Sequence, residues 1–353
     1  MTDVNLANCA PFPADGIGPS PRRVLAICYS QSGDAARCSE AFLAPLTAAG
    51  ATVDVATLRP VPPYPFPWKS VRRFFDVMPD CVRGIAPAIE EPSFDADAPY
   101  DLVVVFYQVW FLAPSLPLVG FFNHPKSRVL AGRPTITVVV CRNMWMVAAA
   151  KVHRRLAELG ARHLDNLVVT HQGPIWATFI TTPRYLLFGR RDRLWNIFPE
   201  PGVGETELGR VRGFGEHLAG RLDQLAPDRT EPFFTGLQAT RIEEKYILPE
   251  LIGSRLFQCW AYLITAMGRI GGGWLRAVGV YLFVLTLVCG IVVGIPVLFV
   301  FRLLLYPLFR PVLRSYKESM EAPSEPLSSS SSKGAAVPNG THVGSRREAT
   351  QNL

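Results

Sequence analysis

The chain alternates between short apolar runs and longer stretches that are apolar on one side only. Val24-Leu25-Ala26-Ile27-Cys28, Thr52-Val53-Asp54-Val55-Ala56, Leu102–Phe106, Thr135–Val140 and 164–170 each read as a strand. Several are continuous Val/Ile/Leu runs rather than alternating ones, as in strands covered on both faces. Between them, 37–49, 114–123, 146–160 and 205–222 carry apolar residues at helical spacing. Gly50 and Gly160 close two of these helices, because a left-handed terminal residue is easiest for glycine. Residues 59–95 are broken by prolines and hold a Trp/Phe cluster, with a short helix expected at 68–77. Residues 171–204 form a long aromatic and basic insertion.

Strands alternating with helices imply right-handed crossovers and a parallel sheet covered on both sides. Five strands fit the flavodoxin-like, doubly wound α/β order. The expected organisation is a disordered leader at 1–20, the α/β domain at 21–225 and a linker at 226–255. A membrane-associated helical segment at 256–310 and a disordered tail at 311–353, with serines at 328–332, complete it.

The last part departs most from an ordinary soluble domain. Ala277 to Phe301 is 25 residues without a charge, whereas about 20 apolar residues span a bilayer core. Arg276 and Arg302 bracket it. The chain carries 36 Lys and Arg against 29 Asp and Glu, a formal net charge of +7. Clusters such as Arg190, Arg191 and Arg193, and Arg302, Arg310, Arg314 and Lys317, beside apolar sequence fit anionic lipid better than nucleic acid. Positive-inside counting slightly favours a cytosolic C-terminal side, and without an export signal the α/β domain is also expected to be cytoplasmic. A single crossing meets only one of these demands. A re-entrant hairpin bending near Gly290, Gly294 and Pro296 meets both, and both arrangements stay open. The seven cysteines form no C-x-x-C pair, so packed thiols are expected rather than disulfides or a zinc site, and no metal ligand set is expected elsewhere.

In open α/β sheets ligands bind beyond the carboxyl ends of the strands, at the switch in strand order. Four unusual segments leave strand ends here. Tyr29-Ser30-Gln31-Ser32-Gly33-Asp34 opens onto a helix N-terminus, where backbone N–H groups and hydroxyls favour an anion. Asp34 is a negative charge that must point away from a phosphate. In Tyr107-Gln108-Val109-Trp110-Phe111-Leu112, an aromatic ring can pack on a planar ligand. In Cys141-Arg142-Asn143-Met144-Trp145, backbone and side-chain donors can meet a ring edge, and Arg142 can stabilise negative charge there. His171-Gln172-Gly173-Pro174 supplies a proton donor or acceptor on the same rim.

The first segment resembles the flavodoxin phosphate loop, and the second the P-x-W loop of flavodoxin-like quinone and FMN reductases, with Gln108 in the proline position. The four together resemble the flavodoxin-like FMN proteins of dialkylresorcinol biosynthesis, the dialkylresorcinol condensing enzyme (aromatase) family, over roughly 22–225. The resemblance implies FMN held by Ser30, Gln31, Ser32, Gly33, Gln108, Val109, Trp110, Phe111, Cys141, Arg142, Asn143 and Trp145. It implies oxidation of a dialkylcyclohexane-1,3-dione to a dialkylresorcinol, with Tyr107, Asn143 and His171 beside the substrate and a separate ketosynthase performing the condensation. The rival readings are an NAD(P)H:quinone oxidoreductase of the same fold and a membrane-tethered flavodoxin-type electron carrier. Expected partners are an alkylated, hydrophobic ring substrate, the lipid bilayer and, as open alternatives, NAD(P)H or quinone and a second copy in a homodimer; no nucleic acid is expected. The 171–204 insertion either roofs an apolar pocket or packs on the sheet or on a second subunit.

Overall fold

The computed structural model describes residues 21–226 and 228–324. Five parallel strands form its centre: β1 (Arg23–Cys28), β2 (Thr52–Thr57), β3 (Leu102–Trp110), β4 (Pro134–Cys141) and β5 (Arg162–Thr170). Their order is β2-β1-β3-β4-β5, so the direction of winding reverses between β1 and β3. That order is flavodoxin-like. β1, β3 and β4 are buried almost throughout, which explains their uninterrupted apolar runs.

One face packs on α1 (Asp34–Ala48) and the other on the helices that follow β3 and β4. Leu25, Ile27, Val103, Val105 and Tyr107 point into one apolar layer, and Val24, Ala26, Val104 and Phe106 into the other, as the two-residue period of a strand requires. After β2, the 59–95 stretch forms two short helices, α2 (Val71–Asp76) and α3 (Met78–Arg83), rather than one at 68–77. Next along the chain come α4 (Leu116–Asn123), α5 (Met146–Glu158), α6 (Ile175–Phe188) and α7 (Glu205–Ala219). α7 lies so close to α1 that a Cβ on Gly215 would collide with the Phe42 carbonyl.

Two domain boundaries differ from the sequence reading. Residues 233–242 are not a loose linker but cover the open edge of β5. The Val168 N–H donates to Ala239 O at 3.0 Å, and the Asp165 carboxylate accepts the N–H groups of Phe233 (2.7 Å) and Phe234 (3.1 Å). Polar composition concealed this, because the bonds are made by backbone. Helix also continues past residue 310, since α8 (Ile247–Cys289), a π-helical turn (Gly290–Gly294) and α9 (Ile295–Glu321) follow one another. The 1–20 leader and the tail beyond Ser324 lie outside the described residues.

α8 is two arms. Gly272, at φ 65° and ψ −155°, reverses the chain between them. The arms run side by side: a Cβ on Gly279 would lie 3.2 Å from Ile264, and the rings of Phe257 and Phe283 are 5.2 Å apart. The hairpin packs on α2 and α3.

Candidate functional site

The first three predicted segments leave β1, β3 and β4 at one end of the sheet, on either side of the winding reversal, and the fourth leaves β5 beside them. In the first, Gly33 adopts φ 91°, where a side chain would be strained, and α1 begins at Asp34, three residues earlier than the sequence indicated. The Ser30 hydroxyl is buried without a partner. The rest of this loop is tied to its neighbours. Gln31 N–H donates to Gln108 Oε1 at 3.2 Å, Gln108 Nε2 donates to Ser32 Oγ at 3.4 Å, and the Tyr185 hydroxyl donates to Ser32 O at 2.6 Å.

Asp34 is buried, accepts the Ser32 hydroxyl at 3.2 Å and pairs with Arg191 at 3.0 Å and Arg37 at 3.7 Å. Its charge thus turns toward two cations, of which Arg37 also pairs with Glu205 at 2.6 Å. Arg191 belongs to the basic cluster of the insertion. Nothing in its spacing from Asp34, 157 residues away, marks it as a partner of the loop.

In the second segment, β3 continues through Trp110, so Tyr107, Gln108, Val109 and Trp110 are strand residues rather than loop. A two-residue turn at Phe111 (φ 51°) and Leu112 (φ 57°) folds Ala113–Pro114 back on Val109–Trp110. Both turn residues sit in the left-handed region that Gly and Asn usually occupy, at a cost of order 1–3 kcal/mol each. Packing holds them there: Phe111 meets Phe74 at 5.2 Å and Phe75 at 5.8 Å, and Leu112 lies against Gly253 of α8. Trp110 is half-buried between Tyr29 and Tyr64, at 5.8 and 5.0 Å. Tyr107 is fully buried in the core layer with its hydroxyl unpartnered. This corrects the expectation that it stands beside a substrate: the strand period points it under the rim, among Val103 and Val105.

In the third segment, Cys141 and Trp145 face the core. Burial pushes the Cys141 thiol far up, and its Sγ lies 3.7 Å from Val169 O, so it is a packed thiol rather than a nucleophile. Both polar atoms of the Asn143 amide are buried without partners. The Arg142 guanidinium lies 3.8 Å from the centre of the Phe179 ring on α6, and burial lowers its pKa to about 10, which leaves it charged at neutral pH. His171 bonds through its backbone N–H to Cys141 O at 3.0 Å, while its Nδ1 is buried and unpartnered. Its pKa falls to about 4, first because of burial; Asp34 raises it, and Arg142 and Arg191 lower it further. Asn143 and His171 are therefore brought to one rim with Arg142.

The insertion does pack over this end of the sheet, through Tyr185 on the first loop and Phe179 on Arg142. Its outer side leaves Trp176, Ile180, Phe188, Trp195 and Ile197 exposed. Glu250 of α8 carries a link that sequence gave no hint of. It accepts the Val147 N–H at 2.7 Å at the start of α5, beside the third segment, and its Oε2 is buried without a partner.

No family model matches the chain, and no curated protein matches it. Several solved structures are similar to it. A flavodoxin from the domain Archaea is 11% identical, with a TM-score of 0.32, over 57% of this chain and 99% of its own. An NAD(P)H:quinone oxidoreductase from Methanothermobacter marburgensis is 13% identical, with a TM-score of 0.31, over 56% of this chain and all of its own. General stress protein 14 from Treponema denticola, solved in complex with FMN, is 9% identical, with a TM-score of 0.28, over 58% of this chain and all of its own. The strand order of the chain itself makes the α/β domain flavodoxin-like.

Proposed function

We propose that this is a membrane-attached FMN-dependent oxidoreductase that aromatises a dialkylcyclohexane-1,3-dione to a dialkylresorcinol. The carrying observation is a set of buried polar groups without partners among the described residues at the end of the sheet beside the winding reversal: Ser30 Oγ, both atoms of the Asn143 amide and His171 Nδ1. A buried polar atom without a partner costs about 1–3 kcal/mol, so four of them at the ligand end of one sheet point to a ligand that satisfies them. FMN fits the set. Its phosphate suits the α1 N-terminus and Ser30, with the charge of Asp34 turned to Arg191 and Arg37. Its ring edge suits Asn143 and Arg142. When bound, FMN supplies the hydride acceptor.

The remaining chemistry asks little of the protein. A cyclic 1,3-dione enolises readily, and aromatisation removes a hydride and a proton from its ring. His171, neutral near pH 7, is able to take that proton. The Asn143 amide is able to hold an enol oxygen. The α8 hairpin packs against Phe111 and Leu112 of the second segment, so attachment through 277–301 would hold the candidate site near lipid, where an alkylated substrate dissolves.

Protein purified in mild detergent should be yellow and release FMN on denaturation, and Gly33→Val should lose it with at least a hundredfold drop in affinity. Anaerobic addition of the dione should bleach the flavin and yield the resorcinol by mass spectrometry. If NAD(P)H reduces the flavin, quinone reoxidises it and the dione has no effect, the protein is a quinone oxidoreductase. Colourless protein that takes up no FMN would end every flavin reading.

A further inference from the structure

Resting on the proposed membrane attachment, we infer that the apolar segment enters and leaves the bilayer on the same side, so that the α/β domain and the end of α9 face one aqueous compartment. The argument starts from where its flanks are fastened. On the N-terminal side, Arg276 Nε bonds Asp76 Oδ1 at 2.6 Å, and its Nη2 bonds Asp76 O at 2.9 Å. Val280 and Phe283 are fully buried in the α8 hairpin, with Phe283 against Phe75 of α2 at 5.9 Å. On the C-terminal side, Leu313 and Met320 are buried in the apolar layer that contains Ile242 and Ile247. The Thr240 hydroxyl donates to Glu321 O at 3.3 Å, and the Asn166 N–H on β5 donates to Ser324 Oγ at 2.8 Å. Both ends of the segment are therefore built into one domain.

Length then decides its path. A straight helix from Phe283 to Leu313 would measure about 45 Å. Phe283 meets α8 at Phe257, whereas α9 touches the turn at Glu244–Tyr246 that leads into α8. Only about 15 Å of helix separates Ile247 from Phe257. The intervening chain must loop out and return. The π-helical turn at Gly290–Gly294, followed by Pro296, interrupts the regular ladder near the middle of that loop.

What the loop enters follows from its surface. Leu285, Val288, Val292, Val293, Val297 and Val300 are 44–66% exposed, and no charged residue lies between Ala277 and Phe301. A helix apolar all round suits hydrocarbon rather than water or the polar interface alone. One leaflet of about 15 Å takes roughly ten helical residues each way, which the uncharged stretch from 284 to 301 supplies. A single crossing would instead place the two flanks about 30 Å apart on opposite sides and would tear Leu313, Met320 and Ser324 from the domain.

The test uses the full chain with Cys9→Ser, Cys259→Ser and Cys289→Ser, carrying either Glu40→Cys on α1 or Ser319→Cys at the end of α9; Glu40 and Ser319 are both exposed. Sealed membrane vesicles of one orientation from expressing cells are treated with a membrane-impermeant maleimide, before and after detergent. Equal labelling of the two sites from one side, in protein that resists alkaline carbonate extraction, is the expected result. If Ser319→Cys reacts only from the side opposite Glu40→Cys, the chain crosses once and the same-side arrangement is wrong, although attachment stands. If carbonate releases the chain and it then elutes as a dimer, the apolar surface pairs with a second copy, and both the attachment and this inference fall.

Discussion

The two rims of the candidate site treat their polar groups in opposite ways. On the α1 side, Gln108 and Tyr185 hold Gln31 and Ser32, and Arg191 and Arg37 hold Asp34. On the β4 side, the Asn143 amide and His171 Nδ1 are buried and unpartnered. A hydrogen bond within the protein contributes about 1 kcal/mol, whereas an orphaned buried group costs more than that. The α1 rim is thus tied largely to its own neighbours, with the Ser30 hydroxyl left over, and the β4 rim leaves three buried polar atoms for a ligand or water. A loop that resembles a ligand cradle by sequence is tied here largely to its own neighbours, and most of the unpartnered polar atoms of the candidate site lie on the other rim.

Asn143→Leu is the sharpest way to break this contrast. It removes two orphaned atoms, so the flavin-free protein should be no less stable, while FMN affinity should fall roughly thirtyfold, about 2 kcal/mol. Fluorescence titration and thermal melting together read both effects. A clear loss of flavin-free stability would mean that Asn143 has a structural partner and that the rims do not differ as described.

A smaller effect of opposite sign is expected on the other rim. Asp34→Asn removes a buried negative charge beside the proposed phosphate site and frees Arg191, while Arg37 keeps its pairing with Glu205. FMN affinity should rise about tenfold, about 1.4 kcal/mol, and become more sensitive to salt. Weaker binding would show that the carboxylate is needed to place Arg191.

The last expected effect is a slope. Burial depresses the His171 pKa to about 4 in the folded chain, against an ordinary value of about 6.5. The unfolded chain therefore binds the proton first as pH falls. Stability from this group is fully present above about pH 6.5 and is lost as pH drops toward 4, by at most about 1.4 kcal/mol per pH unit. His171→Gln should flatten the unfolding free energy across that window. An unchanged slope in denaturant titrations would place the imidazole in water rather than in the closed rim.

Particular residues show why some of this was legible beforehand. The runs Val24–Cys28, Leu102–Phe106 and Thr135–Val140 announced buried parallel strands because a strand covered on both faces has no polar positions to hide. Gly33 and the hydroxyls beside it marked a turn into a helix by local chemistry alone. Tyr107 was misread because its role depends on which face of β3 it occupies, and a strand that continues to Trp110 changes what is loop and what is core. Arg191, Tyr185 and Glu250 gave no signal, since each reaches the site from more than 100 residues away in sequence.

The alternation of elements, the end of the sheet that holds the candidate site and the 25-residue apolar segment are legible in the chain alone, because periodicity, turn residues and uninterrupted hydrophobicity are local properties. The pairing of Asp34 with Arg191, the Asn143 amide and His171 Nδ1 left without partners among the described residues, and the fastening of both flanks of the apolar segment to one domain emerge from the fold. Those depend on contacts between distant parts of the chain, and long-range pairing follows from how whole surfaces fit rather than from any one stretch of residues.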